Sequence, residues 1–235
     1  MNENLSLARS FYYEFFAIPF FFSENDTKFK LFKEQLRYLA TSPLQESDRA
    51  SFEALEEFSF ESFKKEQNLV LFDYSFSNVP LTASFYAEGR DDGKARILVL
   101  ETLRKSKFRR NDKVCKDSED FIGFIFYAMS SLLKDEVGQN NFLSTELFVN
   151  VINGFVDELS ELMKENKGSV FYAQLANLMS SFFAFERAFL GVKTPIFEKS
   201  VAKEAMQKAP YISKFGESKD KYEWSDELSK YQEEL

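Results

Sequence analysis

Residues 79–129 read VPLTASFYAEGRDDGKARILVLETLRKSKFRRNDKVCKDSEDFIGFIFYAM. The stretch opens on a tight polar elbow, Pro80, Ser84, Gly89 and then Asp91-Asp92-Gly93, which is turn chemistry. A helical stretch follows from about Asp92 to Lys107, with Ile97, Leu100 and Leu103 along one side. Lys94, Arg96, Arg104, Lys105, Arg109 and Arg110 make it the most basic part of the chain. Asp117, Glu119 and Asp120 then form an acidic cluster at the head of an apolar helix. From Ser118 that helix carries Phe121, Ile122, Phe124, Ile125, Phe126, Met129, Leu132 and Leu133, and it stops near Gly138. Apolar residues on nearly every side require other helices around it, so the fold is read as all-α.

The rest of the chain agrees. Only 8 Gly and 5 Pro punctuate 235 residues that include 29 Phe, which leaves long periodic segments and argues against a many-turned β fold. An apolar content of 44% suffices for a substantial core, so a single multi-helix domain over 1–209 is expected. Leu5, Ala8, Tyr12, Phe15 and Phe16 recur at helical spacing opposite Arg9, Tyr13 and Glu14, giving a core helix that ends near Pro19. The apolar run Phe15–Phe22 lacks a basic leader and a small-residue cleavage site, and it is too short to span a bilayer. A second helix is expected over Lys28–Ala40, with Phe29, Phe32, Leu36 and Leu39 inward. Ser42-Pro43-Leu44-Gln45 reads as a capping box opening a third, charged helix to about Gln67, with Phe52, Leu55, Phe58 and Phe63 in the core. Leu69–Phe76 reads as a short helix, since one isolated strand would lack a partner.

Ser144 caps a long helix with Phe148, Val151, Ile152, Phe155, Leu159 and Leu162 on one face and Asn150, Asp157, Glu158, Glu161 and Glu165 on the other. It ends at Asn166-Lys167-Gly168, and a helix from Ser169 to Gly191 follows as an antiparallel neighbour. Thr194-Pro195 starts a last short helix to about Lys208. Residues 210–235 turn polar and read as a loosely held tail that Trp224 anchors back.

Composition excludes several function classes. With 30 Lys+Arg against 38 Asp+Glu the formal charge is −8, which disfavours nucleic acid as a partner and favours a basic peptide. A single cysteine, Cys115, rules out an intramolecular disulfide and suits a reducing compartment. The chain has no histidine, which removes the usual general base and the commonest metal ligand. Phosphate-cradling glycine loops are also missing. A non-enzyme without metal or cofactor is expected.

The elbow Pro80-Leu81-Thr82-Ala83-Ser84-Phe85-Tyr86-Ala87-Glu88-Gly89 and the segment Asp117-Ser118-Glu119-Asp120-Phe121-Ile122-Gly123 through Met129 resemble the motifs of the TorD/DmsD/NarJ family, cytoplasmic chaperones for molybdoenzymes. The resemblance covers roughly residues 5–190. It implies a TorD-like helical bundle that binds the twin-arginine signal peptide and apo form of a molybdoenzyme, assists cofactor insertion and prevents premature export. Formate dehydrogenase is one client of the kind it implies. The peptide-binding residues it points to are Ser84, Phe85, Tyr86, Glu88, Asp117, Asp120, Phe121 and Phe124. Phe121 departs from the family's usual His and Ile125 from a common acid, so the polar contacts those side chains would make are lost, which counts against the guanine-nucleotide binding that the resemblance suggests.

On their own, Asp117 and Asp120 lie three apart and share a face of a helix start. They either receive arginines from a ligand or cap free backbone N–H groups. Two other functions fit the residues: a nucleotide-dependent switch or enzyme using Arg104, Arg109 and Arg110, and a helical protein–protein adaptor. A monomer or a dimer swapped at the Lys167-Gly168 hinge is expected.

Overall fold

Phenylalanine at helical spacing dictates how the chain packs. The protein is described from a computed structural model covering residues 3–73, 78–113, 115–137 and 142–207. The expected helix end at Gly138, the end of the last helix at Lys208, and the tail 210–235 with Trp224 lie outside the described residues. Helix α1 (Glu3–Ala17) buries Tyr12, Tyr13, Phe15 and Phe16, and a 3-10 turn Ile18–Phe20 with Pro19 inside it ends the helix. Helix α2 (Thr27–Ala40) buries Phe29, Phe32, Leu36 and Leu39 as its period predicts, and Phe15 stacks on Phe32 at 4.7 Å.

Helices α3 (Asp48–Glu56) and α4 (Phe60–Gln67) follow, and α4 runs on into a π turn, Asn68–Phe72. Then come α5 (Ala83–Glu88), α6 (Lys94–Arg104) and α7 (Ile122–Asp135). Helix α8 (Leu143–Leu147) passes through a second π turn, Phe148–Ile152, into α9 (Asn153–Glu165). Helix α10 (Phe171–Leu190) and the short α11 (Val201–Gln207) complete the described chain. The fold is all-α. Strand-like pairing among the described residues is confined to an isolated bridge between Thr82 and Phe121.

Helix α7 lies along α1 at the centre, α10 packs on α9 and α3, and α11 packs on α5. Phe126 of α7 touches Phe155 of α9 and Phe183 of α10 with ring centroids 6.3 and 5.9 Å apart, so one aromatic cluster joins the three. The all-round apolar pattern of α7 is satisfied by these neighbours.

Three local expectations are corrected. Arg9 and Tyr13 of α1 are buried rather than outward, because Glu186 on α10 supplies a counter-charge inside the core, while Ala8 is exposed. The helix expected from Pro43 to Gln67 begins at Asp48 and breaks after Glu56. Lys33 of α2 donates to the end carbonyls Leu55 O, Glu56 O and Phe58 O, and Ser59 opens α4 by accepting the Ser62 N–H at 3.2 Å. On α6 the inward stripe is Ala95, Val99, Thr102 and Leu103, while Ile97 is 56% exposed. That stripe faces α5, α8 and the π turn leading to α9.

Candidate functional site

The elbow is organised by one carboxylate. Thr82, just before α5, gives no side-chain cap to that helix, and the acceptors come instead from Asp120. Its backbone carbonyl accepts the Ala83 N–H at 2.9 Å, and its Oδ2 accepts the Ser84 N–H at 3.3 Å. Oδ1 accepts the Ser118 hydroxyl at 2.6 Å. Asp120 is completely buried. Of the two sequence readings, capping is the one this geometry performs, on the N-terminus of a helix far away in the chain. In this fold the oxygens of Asp120 are spent within the chain.

Other expected site residues divide by exposure. Ser84 and Phe121 are buried, Phe121 edge-on to Phe21 at 5.0 Å. Tyr86 is buried with its hydroxyl donating to Pro80 O at 2.8 Å. Glu88 is half-buried; the Lys94 backbone N–H and then Arg90 hold its carboxyl below the usual range. Asp117 is exposed, and Phe85 and Phe124 are half-buried. Of the eight, Ser84, Tyr86, Asp120 and Phe121 are buried, while Phe85, Glu88, Asp117 and Phe124 reach solvent.

Glu119 is the hub of the acidic cluster. Arg110 Nε donates to its Oε1 at 2.8 Å and Arg96 Nε to its Oε2 at 2.7 Å. Burial raises the carboxyl pKa, but these two guanidiniums outweigh it and bring it to about 2. Arg109 spends its guanidinium on carbonyls at the end of α6, including Leu103 O at 2.5 Å and Ser106 O at 2.8 Å. Arg109 and Arg110 are thus committed within the chain and do not converge with Arg104 on a phosphate-sized site. Burial also pushes the Cys115 thiol up, away from a reactive thiolate.

The concavity lies on the other side of α5. Ala83, Tyr86 and Ala87 of α5 and Lys94, Ala95 and Leu98 of α6 face Val151, Gly154 and Phe155 across a recess of about 320 Å³. A second recess of about 290 Å³, lined by Asp157, Glu158 and Glu161 of α9 and by Thr194, Pro195 and Ser200, adjoins it. The two share Gly154, Glu158, Phe197 and Lys199, so they form one groove with an apolar floor and an acidic mouth. A side chain at Gly154 would meet nothing within 4 Å, so α9 shows bare backbone to the groove. A larger and more open recess of about 470 Å³ beside Leu69, Leu162 and Met206 is lined by one carboxylate, Glu165.

Residues 69–165 match the family model described as nitrate reductase delta subunit. Over those residues the chain is similar to the TorD/DmsD/NarJ family. This is a family of molybdoenzyme maturation chaperones. No curated protein matches the chain. The matched stretch contains the elbow, the Asp120 cap and the three helical walls of the groove, α5, α6 and α9. The segment after α10 that closes its mouth lies outside the match.

The acidic mouth was missed in the sequence, where Asp157, Glu158 and Glu161 read as the outer face of their helix. One signal was available: Gly154 sits a turn before the three acids on a helix otherwise rich in large side chains. Among the described residues no helix is long and apolar enough to cross a membrane, and no cluster of acids and Cys could hold a metal ion.

Proposed function

We propose that this chaperone captures the twin-arginine signal peptide of an apo-molybdoenzyme in the cytoplasm, holding the client for cofactor insertion and keeping its leader from early export. The observation that carries the reading is the groove, whose apolar floor of Tyr86, Leu98, Val151 and Phe155 runs into a mouth bearing Asp157, Glu158 and Glu161. A leader with paired arginines beside an apolar stretch has the complementary order of chemistry. Carboxylates bind guanidinium in directional, charge-assisted pairs, and the apolar segment gains from leaving water. The net charge of −8 adds long-range attraction for such a cationic segment.

In this reading the elbow residues act by position. Tyr86 lines the floor, and Asp120 holds α5 where its small residues Ala83 and Ala87 leave room for a ligand. Phe85, Glu88, Asp117 and Phe124 keep access to solvent and extend the contact surface for the client. Formate dehydrogenase is one candidate client among similar molybdoenzymes.

The test is calorimetric titration of the purified chain with a synthetic peptide carrying two adjacent arginines and a leucine-rich segment, beside a peptide with both arginines changed to glutamine. Binding of the first and loss with the second support the reading. Equal heats, or none, remove it. Affinity purification from the native host, with mass spectrometry of the co-purifying chain, identifies the client.

A further inference from the structure

The carboxylates at the groove mouth are not idle. Asp157 is held in a fork by Arg187, Nη1 to Oδ1 at 2.9 Å and Nη2 to Oδ2 at 2.8 Å. Glu158 accepts the Ser200 hydroxyl, and Glu161 lies 3.7 Å from the ammonium of Lys203, which reaches Glu165 at 2.8 Å. Ser200 and Lys203 both belong to the segment that leaves α10, crosses α9 and enters α11. That segment reads Phe197-Glu198-Lys199-Ser200-Val201-Ala202-Lys203, an apolar ring followed by cations.

The crossing segment is held weakly. No residue from 193 to 199 is buried; Ile196 is 95% exposed, and Phe197, which lines both recesses, is 60% exposed. Its ties to α9 are the polar latches above and one bond from Asn153 Nδ2 to the Lys193 carbonyl at 3.1 Å. The Ser200 and Asn153 ties are single part-buried hydrogen bonds, each a modest contribution, and the exposed Lys203 pairs add little. The segment starts at Gly191, which adopts φ +66 and has open space around it, a backbone position suited to swinging.

We propose that residues 192–200 are a strap that occupies the groove mouth as a stand-in for the ligand, and that a cationic, apolar client segment seats by displacing it. The inference rests on the leader reading and concerns how that same site is regulated. Phe197 sits where the apolar part of a ligand would enter, and the Ser200 hydroxyl satisfies Glu158 meanwhile. The strap keeps an apolar groove and its acids from standing open when no client is present.

The test uses the full chain and the same arginine-pair peptide, labelled for fluorescence anisotropy. Phe197→Ser and Ser200→Ala loosen the strap without changing the charge of the groove. With an open state of about a tenth, either variant tightens binding by up to about tenfold, because apparent affinity scales with the open fraction. Hydrogen exchange supplies a second readout: the peptide speeds exchange at residues 193–201 while slowing it in α9. Unchanged or weaker binding by both variants, with wild-type binding intact, makes the strap a fixed wall and overturns the inference while the leader reading stands. No binding by any of the three proteins removes both.

Discussion

Arg9 and Glu186 stand 177 positions apart and meet in the core, Nε to Oε1 at 2.5 Å and Nη2 to Oε2 at 2.9 Å, with neither side chain more than 1% exposed. Tyr13 donates a third bond to Glu186 at 3.1 Å. Burial lowers the pKa of the guanidinium, and Glu186 more than restores it. The pair ties α1 to α10.

Removing one partner of this pair leaves the other charged and buried. Glu186→Ala is therefore expected to lower unfolding free energy by about 3–5 kcal/mol, whereas the double change Arg9→Met with Glu186→Leu loses much less. Urea unfolding of the two variants decides it. Equal losses would mean that packing, and not the stranded charge, sets the cost.

Asp120→Ala strips the acceptors from the start of α5. We expect a loss of about 1–3 kcal/mol, the penalty of unsatisfied buried N–H groups, with little change in peptide affinity for the folded fraction. Thermal melts read the first and titration below the melting range reads the second. If affinity collapses while the melt stays put, Asp120 contacts the ligand after all.

Glu119 predicts a pH window. Its carboxyl is shifted down from 4.5 to about 2, so its contribution is present above about pH 4.5 and is lost as pH falls through about 2. Wild type is expected to exceed Glu119→Gln in stability near neutral pH, with the gap closing on acidification across that window. Denaturant midpoints at several pH values measure this. A gap that persists at pH 2 would show that the ion pairs with Arg96 and Arg110 are not its source.

Gly154→Leu separates fold from site. Leucine improves helix propensity by up to about 1 kcal/mol and its Cβ meets nothing within 4 Å, so the melting temperature should hold or rise. The same side chain fills the groove between α5 and α9. Peptide binding should fall sharply, and a variant that binds as wild type does would place the ligand elsewhere.

The helical class, the buried face of α2 and the all-round burial of α7 were legible because apolar spacing is a local property of the chain, and Phe29, Phe32, Leu36 and Leu39 declare their face within one helix. The elbow and acid-cluster motifs carried the family in the same local way. What Arg9 and Lys33 do, and which helix Asp120 caps, was not legible, since a polar side chain is spent wherever its partner arrives. Those partners are Glu186, the end of α3 and the start of α5, which folding alone brings near. The groove also exists only between elements: Gly154 is an empty position because α5 and α6 stop short of it, and Glu158 belongs to a mouth because the strap crosses there. Periodicity thus decided which residues leave water, and tertiary contact decided which charges are neutralised inside the chain and which remain to meet a client, because electrostatic pairing depends on distance in space.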